Sequence, residues 1–563
     1  MSESNSTVRR ELPVLSNRVP ALPSVDGAGP RIGVVTLGCD KNTVDSERIL
    51  GGLVGAGARV SGDVDGADVV VINTCGFIEM AKEESIEAIL EAVRMKDEGR
   101  TRAVVAMGCL VQRYKDELAA ELPEVDLFLG LTEADRLIPE LQARGLLERP
   151  EPGVPMMERP LRVLSTATPH TSFLKISEGC DHGCAFCAIP LMRGKHRSTP
   201  IEALVREAQE LEAAGVVELN LVSQDTTWYG RDWLRTGIPS GEDEFFIGKA
   251  FAGMAGGAAQ HSGPGNRDTA ATGVVGGGGE RHGEPRRIRS PEAVREALSG
   301  GEDGPVREVG VGRGNGLVRG VDPRLGLSRY GALPALLDAL IAETDVPWIR
   351  LFYMYPSGIY PELVERIATE ERILPYLDMP IQHGADAVLK RMRRPERQKT
   401  ILERVRWLRE AIPDLVLRTT LIVGFPGETE EDFESMLELL EDVGFDRVGA
   451  FEYSVEEGTP AAEMPDQVPD EVKRERLERL MDVQRAISME KNEAWIGRKV
   501  DVLVDRPADE DGPAIGRTSG QAYEVDGVVH LEGAEGVSAG CFVRARITDA
   551  FEDDLMGVLI SDE

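Results

Sequence analysis

Cysteine is scarce: the chain has seven in 563 residues. The number is odd, and small secreted scaffolds carry cysteine far more densely. A disulfide framework is therefore disfavoured, and the thiols stay available for metal or catalysis. Positive charge is also short. Lys and Arg number 64 against 97 Asp and Glu, a net charge of −33. That disfavours a non-specific coat for nucleic acid, because phosphate contacts need a surplus of cations. It suits a basic partner, or simply high solubility. Long apolar runs are missing too. The longest, such as "DVVVIN", fall far short of a bilayer span. The first thirty residues lack the apolar core of a secretory signal. Residues 1–29 read as a loose, disordered polar arm, and the expectation is a cytoplasmic chain with no membrane partner.

What is present points to several domains, roughly three to four at about 150 residues each. Residues 30–145 read as alternating strands and helices: "RIGVVTLGC", "TVDSERILGGLVGAG", "ADVVVINTC", "MAKEESIEAILEAV" and "TRAVVAMGC". The pattern predicts an α/β domain with a parallel sheet. Each of its three strands ends in a cysteine: Cys39, Cys75 and Cys109. Ligands of open α/β sheets bind beyond the carboxyl ends of the strands, so three thiols there can converge. A single buried cysteine is ordinary packing; three at equivalent strand ends are not.

Residues 166–484 continue in α/β fashion, with about six strand–helix units, and predict a partial or complete barrel of parallel strands. An interval at about 231–325 interrupts them. Glycine makes up 22 of its 95 residues, too little apolar surface to offset the chain entropy. It reads as a mostly disordered insertion in which "SPEAVREAL" forms at most a transient helix. Residues 487–557 turn to short strands between Gly and Asp turns, which predicts a small antiparallel β-barrel. Cys541 lies there and reads as core packing.

The stretch "EGCDHGCAFCAIP" follows the first strand of the predicted barrel. It sets Cys180, Cys184 and Cys187 in a C-x3-C-x2-C spacing. Closed zinc sites take four ligands, and no fourth cysteine stands beside these three. His182 lies inside the loop but reads as solvent-exposed. Three thiolates suit a [4Fe–4S] cluster with one iron left open. The spacing, with Phe186 before the last cysteine, resembles the radical S-adenosylmethionine (SAM) superfamily. There the open iron chelates SAM, and one electron splits it into methionine and a 5′-deoxyadenosyl radical.

Two three-cysteine sets, an α/β amino-terminal domain, a radical-SAM barrel and a terminal barrel of the type called TRAM together resemble the methylthiotransferases. The resemblance spans nearly the whole chain apart from the arm and the insertion. It implies two [4Fe–4S] clusters: a SAM-binding one on Cys180, Cys184 and Cys187, and an auxiliary one on Cys39, Cys75 and Cys109. It further implies that one SAM methylates a sulfur and another makes the radical, with an electron donor and a sulfur source as partners. "GCDKNTVDSERIL", "NTCGFIEMAKEESIEAIL", "SQDTTWYG", "LDMPIQHGADAVLKRMRR" and "EYSVEEGTPAAEMPDQVP" are similar to the branch that modifies ribosomal protein S12. That branch places a methylthio group on an aspartate β-carbon. The alternative is the branch that modifies tRNA adenosine. Asp40 stands where the S12 branch usually has proline, with a small effect on loop rigidity expected. Residues 487–557 carry 7 Lys and Arg against 15 Asp and Glu, 7 − 15 = −8. A barrel that holds tRNA should be basic, so no direct tRNA substrate is expected.

Other strand ends leave two readings open. The amides of Gly424 and Gly427 in "LIVGFPGETEEDF" either approach SAM or form an ordinary turn capped by Thr429 and Asp432. Gln224, Asp225, Asp378, Gln382, His383 and Arg418 either face the site or make structural hydrogen bonds. None is assigned a role.

Overall fold

Strand β3 (Val69–Thr74) is buried at every residue, as a strand covered on both faces must be. It lies in the middle of a five-stranded sheet with β1 (Arg31–Thr36), β2 (Arg59–Ser61), β4 (Ala103–Gly108) and β5 (Leu127–Gly130). The order is β2-β1-β3-β4-β5 and every pairing is parallel. Helices α1 (Asp40–Gly55), α2 (Glu79–Asp97) and α3 (Cys109–Glu121) follow β1, β3 and β4. The computed structural model describes residues 29–61, 64–148, 161–165, 168–236, 289–299, 330–510 and 512–560. The expected arm at 1–29, except its last residue, and most of the glycine-rich insertion lie outside the described residues.

The central region is a second all-parallel sheet, of six strands. These are β6 (Thr171–Lys175), β7 (Glu218–Val222), β8 (Trp348–Leu351), β9 (Ile373–Asp378), β10 (Val416–Val423) and β11 (Arg447–Glu452). They stand in sequence order and, among the described residues, do not close, so the barrel they form is partial. Alternation sorts the side chains. Leu219 and Leu221 join the large core beneath the outer helices, whereas Phe173, Val222, Tyr376 and Val416 pack on the other face, with Val44 from α1.

The insertion differs from expectation in one place. Pro291–Ser299 is a helix, and its Val294 is fully buried in the main core. It packs on helices Pro361–Thr369 and Gln398–Ala411. An apolar anchor on a helical period survives within a composition that argues for disorder.

A 24-residue helix, Asp470–Glu493, leads to the terminal barrel, so Ile487 is helical and the first strand starts only at Lys499. The strands are β12 (Lys499–Arg506), β13 (Ala514–Arg517), β14 (Val529–Glu532), β15 (Phe542–Ala550) and β16 (Leu555–Leu559). They close in the order β12-β13-β14-β16-β15. Four pairings are antiparallel, and β14 with β16 is parallel. Cys541 precedes β15 and is exposed, so it is not core packing. This barrel docks against the inner face of the central sheet. Leu503 and Ala522 enter the cluster with Phe173 and Tyr376. Arg517 pairs with Glu218 at 2.7 Å, and Tyr376 donates to Asp526 at 2.8 Å. Among the described residues no helix is long and apolar enough to cross a membrane.

Candidate active site

The amino-terminal thiols sit where the strands end and the helices begin. Cys39 is the residue before α1, Cys75 follows β3 directly, and Cys109 opens α3. Two glycines make the approach possible. Gly38 has φ +92°, and a Cβ there would meet Cys75 Sγ at 2.8 Å. Gly108 has φ +106°, and a Cβ would meet Asn73 Oδ1 at 2.5 Å. Only glycine suits both constraints. Asn42, on the first turn of α1, ties the group together. Its Nδ2 donates to Leu37 O at 2.7 Å and Thr74 O at 3.2 Å, and Cys109 Sγ lies 3.8 Å from its Oδ1. Burial pushes the Cys75 thiol up and the Cys109 thiol up to about 12, and neighbouring thiols add to both; Arg193 acts in the opposite sense.

The second triplet lies in the loop after β6. Cys180 N donates to Gly194 O at 3.0 Å and Ala185 N to Met392 O at 3.0 Å, which pins the loop at both sides. His182 is not solvent-exposed as the sequence suggested. Its Nε2 lies 2.6 Å from Asp225 Oδ2, and its ring stacks on Tyr355. Asp225 also accepts from Thr227 N at 2.9 Å. Burial pushes Cys180 and Cys187 up to about 12. A buried cation answers them: Arg394 Nη1 is 4.0 Å from Cys184 Sγ, and its guanidinium covers the Tyr355 ring at 3.9 Å.

Among the described residues no three His, Cys, Asp or Glu side chains converge as the ligands of one metal ion would. Thiolates of a four-iron cluster bind separate irons and stand farther apart. Two sets of three thiols, Cys75 and Cys109 buried, Cys39 exposed and the other three half-buried, with Arg193 near the first set and Arg394 beside Cys184 of the second, fit such a donor set.

The two sets are joined through side chains. Lys175 at the end of β6 pairs with Asp45 of α1 and with Glu178, the latter at 2.7 Å. Arg193 pairs with the same two carboxylates, at 3.2 and 2.9 Å. Lys41 Nζ lies 3.0 Å from the centroid of Tyr353. Asp40 binds Lys41 at 3.1 Å and accepts from Tyr353 Oη at 3.3 Å. Asp40 therefore reaches the central sheet and does more than alter loop rigidity. Tyr353 has φ +56°, a strained conformation for a bulky residue, held by its amide's bond to Asp378 Oδ2 at 3.1 Å. Asp378 in turn binds Arg418 at 2.8 Å.

The turn at Gly424 and Gly427 follows its ordinary reading. Gly424 N donates to Glu428 Oε2 at 2.9 Å and Gly427 N to Asp466 O at 2.8 Å, so neither amide is open to a ligand. Thr429 and Asp432 form the capping box. His383 is structural too, bound to Glu428 at 3.2 Å and to Ala385 N at 2.9 Å. Two polar groups stand apart. Asn220, fully buried on the inner face of β7, and Gln224 Oε1 have no partner. The sequence signal for Asn220 was available in "VELNLV", where polar residues alternate within an apolar strand.

Residues 174–236 and 267–440 match the radical SAM superfamily, and residues 496–560 match the TRAM domain. Residues 31–130 match a family described only as uncharacterised, UPF0004. The ribosomal protein uS12 methylthiotransferase RimO of Anaeromyxobacter sp. (strain K) is 42% identical over 94% of this chain and 93% of its own length. That of Desulforudis audaxviator is 40% identical, over 94% and 97%. This chain belongs to the RimO family. RimO-family membership makes it a radical-SAM methylthiotransferase, and the superfamily implies SAM and a [4Fe–4S] cluster. Among solved structures, the radical SAM methyltransferase TsrM of Kitasatospora setae aligns at 13% identity with a TM-score of 0.41, covering 85% of this chain and 79% of that one.

Proposed function

We propose that this chain adds a methylthio group to the β-carbon of an aspartate in ribosomal protein uS12. Cys180, Cys184 and Cys187 would hold the SAM-binding cluster, and Cys39, Cys75 and Cys109 the auxiliary cluster. The observation that carries the reading is the pair of thiol sets bridged by Lys175, Arg193, Asp45 and Glu178. When bound, the two cofactors would supply a radical strong enough to take hydrogen from an unactivated carbon and a sulfur to place there. The chain's own part is placement. Arg394 sets a fixed positive charge beside Cys184. His182, Tyr355 and Asp225 hold the cysteine loop in one conformation. The terminal barrel, through Arg517, Leu503 and Ala522, fills one end of the inner face against water.

The substrate reading draws on the names of the relatives and on charge. An acidic terminal barrel, at −8 by sequence, suits a basic ribosomal protein and repels a phosphate backbone. A one-electron donor and a sulfur source complete the reaction. Anaerobically reconstituted enzyme, given uS12, SAM and a reductant, is expected to add one methylthio group to an aspartate-bearing peptide, read by mass spectrometry. Modification of tRNA adenosine with uS12 untouched would overturn the proposal in favour of the tRNA branch. No 5′-deoxyadenosine from SAM would remove catalysis altogether.

A further inference from the structure

Helix Ile189–Arg193 begins just after Cys187 and ends on Arg193. Its terminal guanidinium crosses into the amino-terminal domain. Nη2 donates to Asn42 Oδ1 at 2.5 Å, and Nη1 donates to Asp45 at 3.2 Å and Glu178 at 2.9 Å. The side chain is 1% exposed. Asn42 is the junction of the auxiliary thiols. One end of its amide holds the carbonyls of Leu37 and Thr74, just ahead of Cys39 and Cys75. The other end meets both Arg193 and Cys109. A single planar amide thus touches the approach to all three auxiliary positions and passes that geometry to a residue of the SAM-binding segment.

The charges around this contact balance. Lys175 and Arg193 face Asp45 and Glu178, two of each sign, all with little exposure. Glu178 precedes Cys180 by two positions and Asp45 lies on the helix that follows Cys39. Removing the guanidinium would make the charge between the two thiol sets one unit more negative, with Lys175 and Arg197 the cations left near Glu178. Arg193 reaches Cys109 through Asn42 Oδ1, whereas the cation beside Cys184 is Arg394. Each set has its own arginine.

We propose that Arg193, held by Asn42, is a positioning residue that sets the charge around the auxiliary triad, so that the reduction potential of a cluster there depends on this guanidinium while that of the SAM-binding cluster does not. A net negative charge close to a cluster disfavours adding an electron, so loss of Arg193 lowers the potential. The inference rests on the two-cluster reading above.

The test is a redox titration followed by electron paramagnetic resonance on reconstituted full-length chain, with iron counted for each sample. Arg193→Gln is expected to keep about eight irons, to move the auxiliary midpoint to a more negative potential, and to leave the SAM-cluster midpoint in place. Arg193→Lys restores the charge and is expected to return the midpoint most of the way. Asn42→Asp places an anion beside Cys109 and should shift the midpoint in the same direction, while giving up the two bonds that the amide donates to Leu37 O and Thr74 O. With SAM in place, 5′-deoxyadenosine should still form while methylthio transfer falls by about tenfold or more. An unmoved auxiliary midpoint, or equal shifts of both midpoints, overturns the role of Arg193. Loss of the auxiliary irons from both Arg193→Gln and Asn42→Asp would overturn it as well, leaving the contact purely structural. About four irons in the unaltered chain would instead sink the two-cluster reading itself.

Discussion

The ring of His182 lies flat on the ring of Tyr355, with centroids 4.0 Å apart and planes 5° apart. Arg394 covers the same tyrosine at 3.9 Å and reaches Cys184. Tyr355 is thus the fixed surface on which the cysteine loop and its counter-charge are both registered. Such supporting contacts hold ligating groups in position, and their loss commonly costs about 10–100-fold in affinity or activity. Tyr355→Leu keeps bulk but loses the stacking. Its expected outcome is a fall of about tenfold in SAM cleavage, measured as 5′-deoxyadenosine. Iron proposed for the Cys39, Cys75 and Cys109 set should be retained.

The two thiol sets are expected to separate two activities. Cys184→Ala should abolish SAM cleavage, because the loop loses a ligand beside Arg394. Cys75→Ala should spare SAM cleavage and block sulfur insertion. The check is parallel assay of 5′-deoxyadenosine and methylthiolated peptide on each variant. Full methylthiolation by Cys75→Ala would end the auxiliary assignment.

Much of the proposed site could be drawn up before folding. Cys39, Cys75 and Cys109 announced themselves by recurring after three apolar runs, and Cys180, Cys184 and Cys187 by spacing. What escaped was set by distance along the chain. His182 meets Asp225 across 43 positions, and Arg193 meets Asn42 across 151; no local pattern encodes either pairing. Cys541 was misread because the residue ahead of β15 falls outside the strand's alternation. The helix Pro291–Ser299 was undervalued because composition was averaged over a glycine-rich interval, while Val294 is fully buried in the main core. The parallel pairing of β14 with β16 was invisible, since strand spacing does not reveal which edges meet.

Asp40 offers a test of local chemistry. It is the first residue of α1, where proline is well tolerated because the amide has no helical acceptor and φ is pre-set. Asp40→Pro should therefore fold normally. It loses the bond from Tyr353 Oη and the pairing with Lys41. The expected result is a folded chain with a lower melting temperature, because buried Lys41 and the Tyr353 hydroxyl lose their partner, and with a Lys41 side chain free to leave the Tyr353 ring. A lysine-selective acylating reagent, read by peptide mapping, should label Lys41 faster in the variant.

Glu218 governs how the terminal barrel is held and how that hold responds to acid. It is fully buried, with Arg350 at 3.0 Å and Arg517 at 2.7 Å. Burial alone would raise its pKa, but Arg517 and then Arg350 outweigh it and hold the carboxyl below its ordinary value of 4.5. A carboxylate with a depressed folded-state pKa stabilises the fold fully above its unfolded pKa, and that contribution fades as pH falls toward the folded value. The contribution of Glu218 to the denaturant midpoint should thus be constant above about pH 5 and decline below it. Glu218→Ala leaves two buried guanidinium groups with one anion fewer, and breaking a buried pair from one side costs about 3–5 kcal/mol. The variant should unfold at a lower urea midpoint at pH 7, and its acid decline should be shallower because one linked proton is gone. An unchanged midpoint at pH 7 would mean that the barrel is held by the apolar contacts of Leu503 and Ala522 instead.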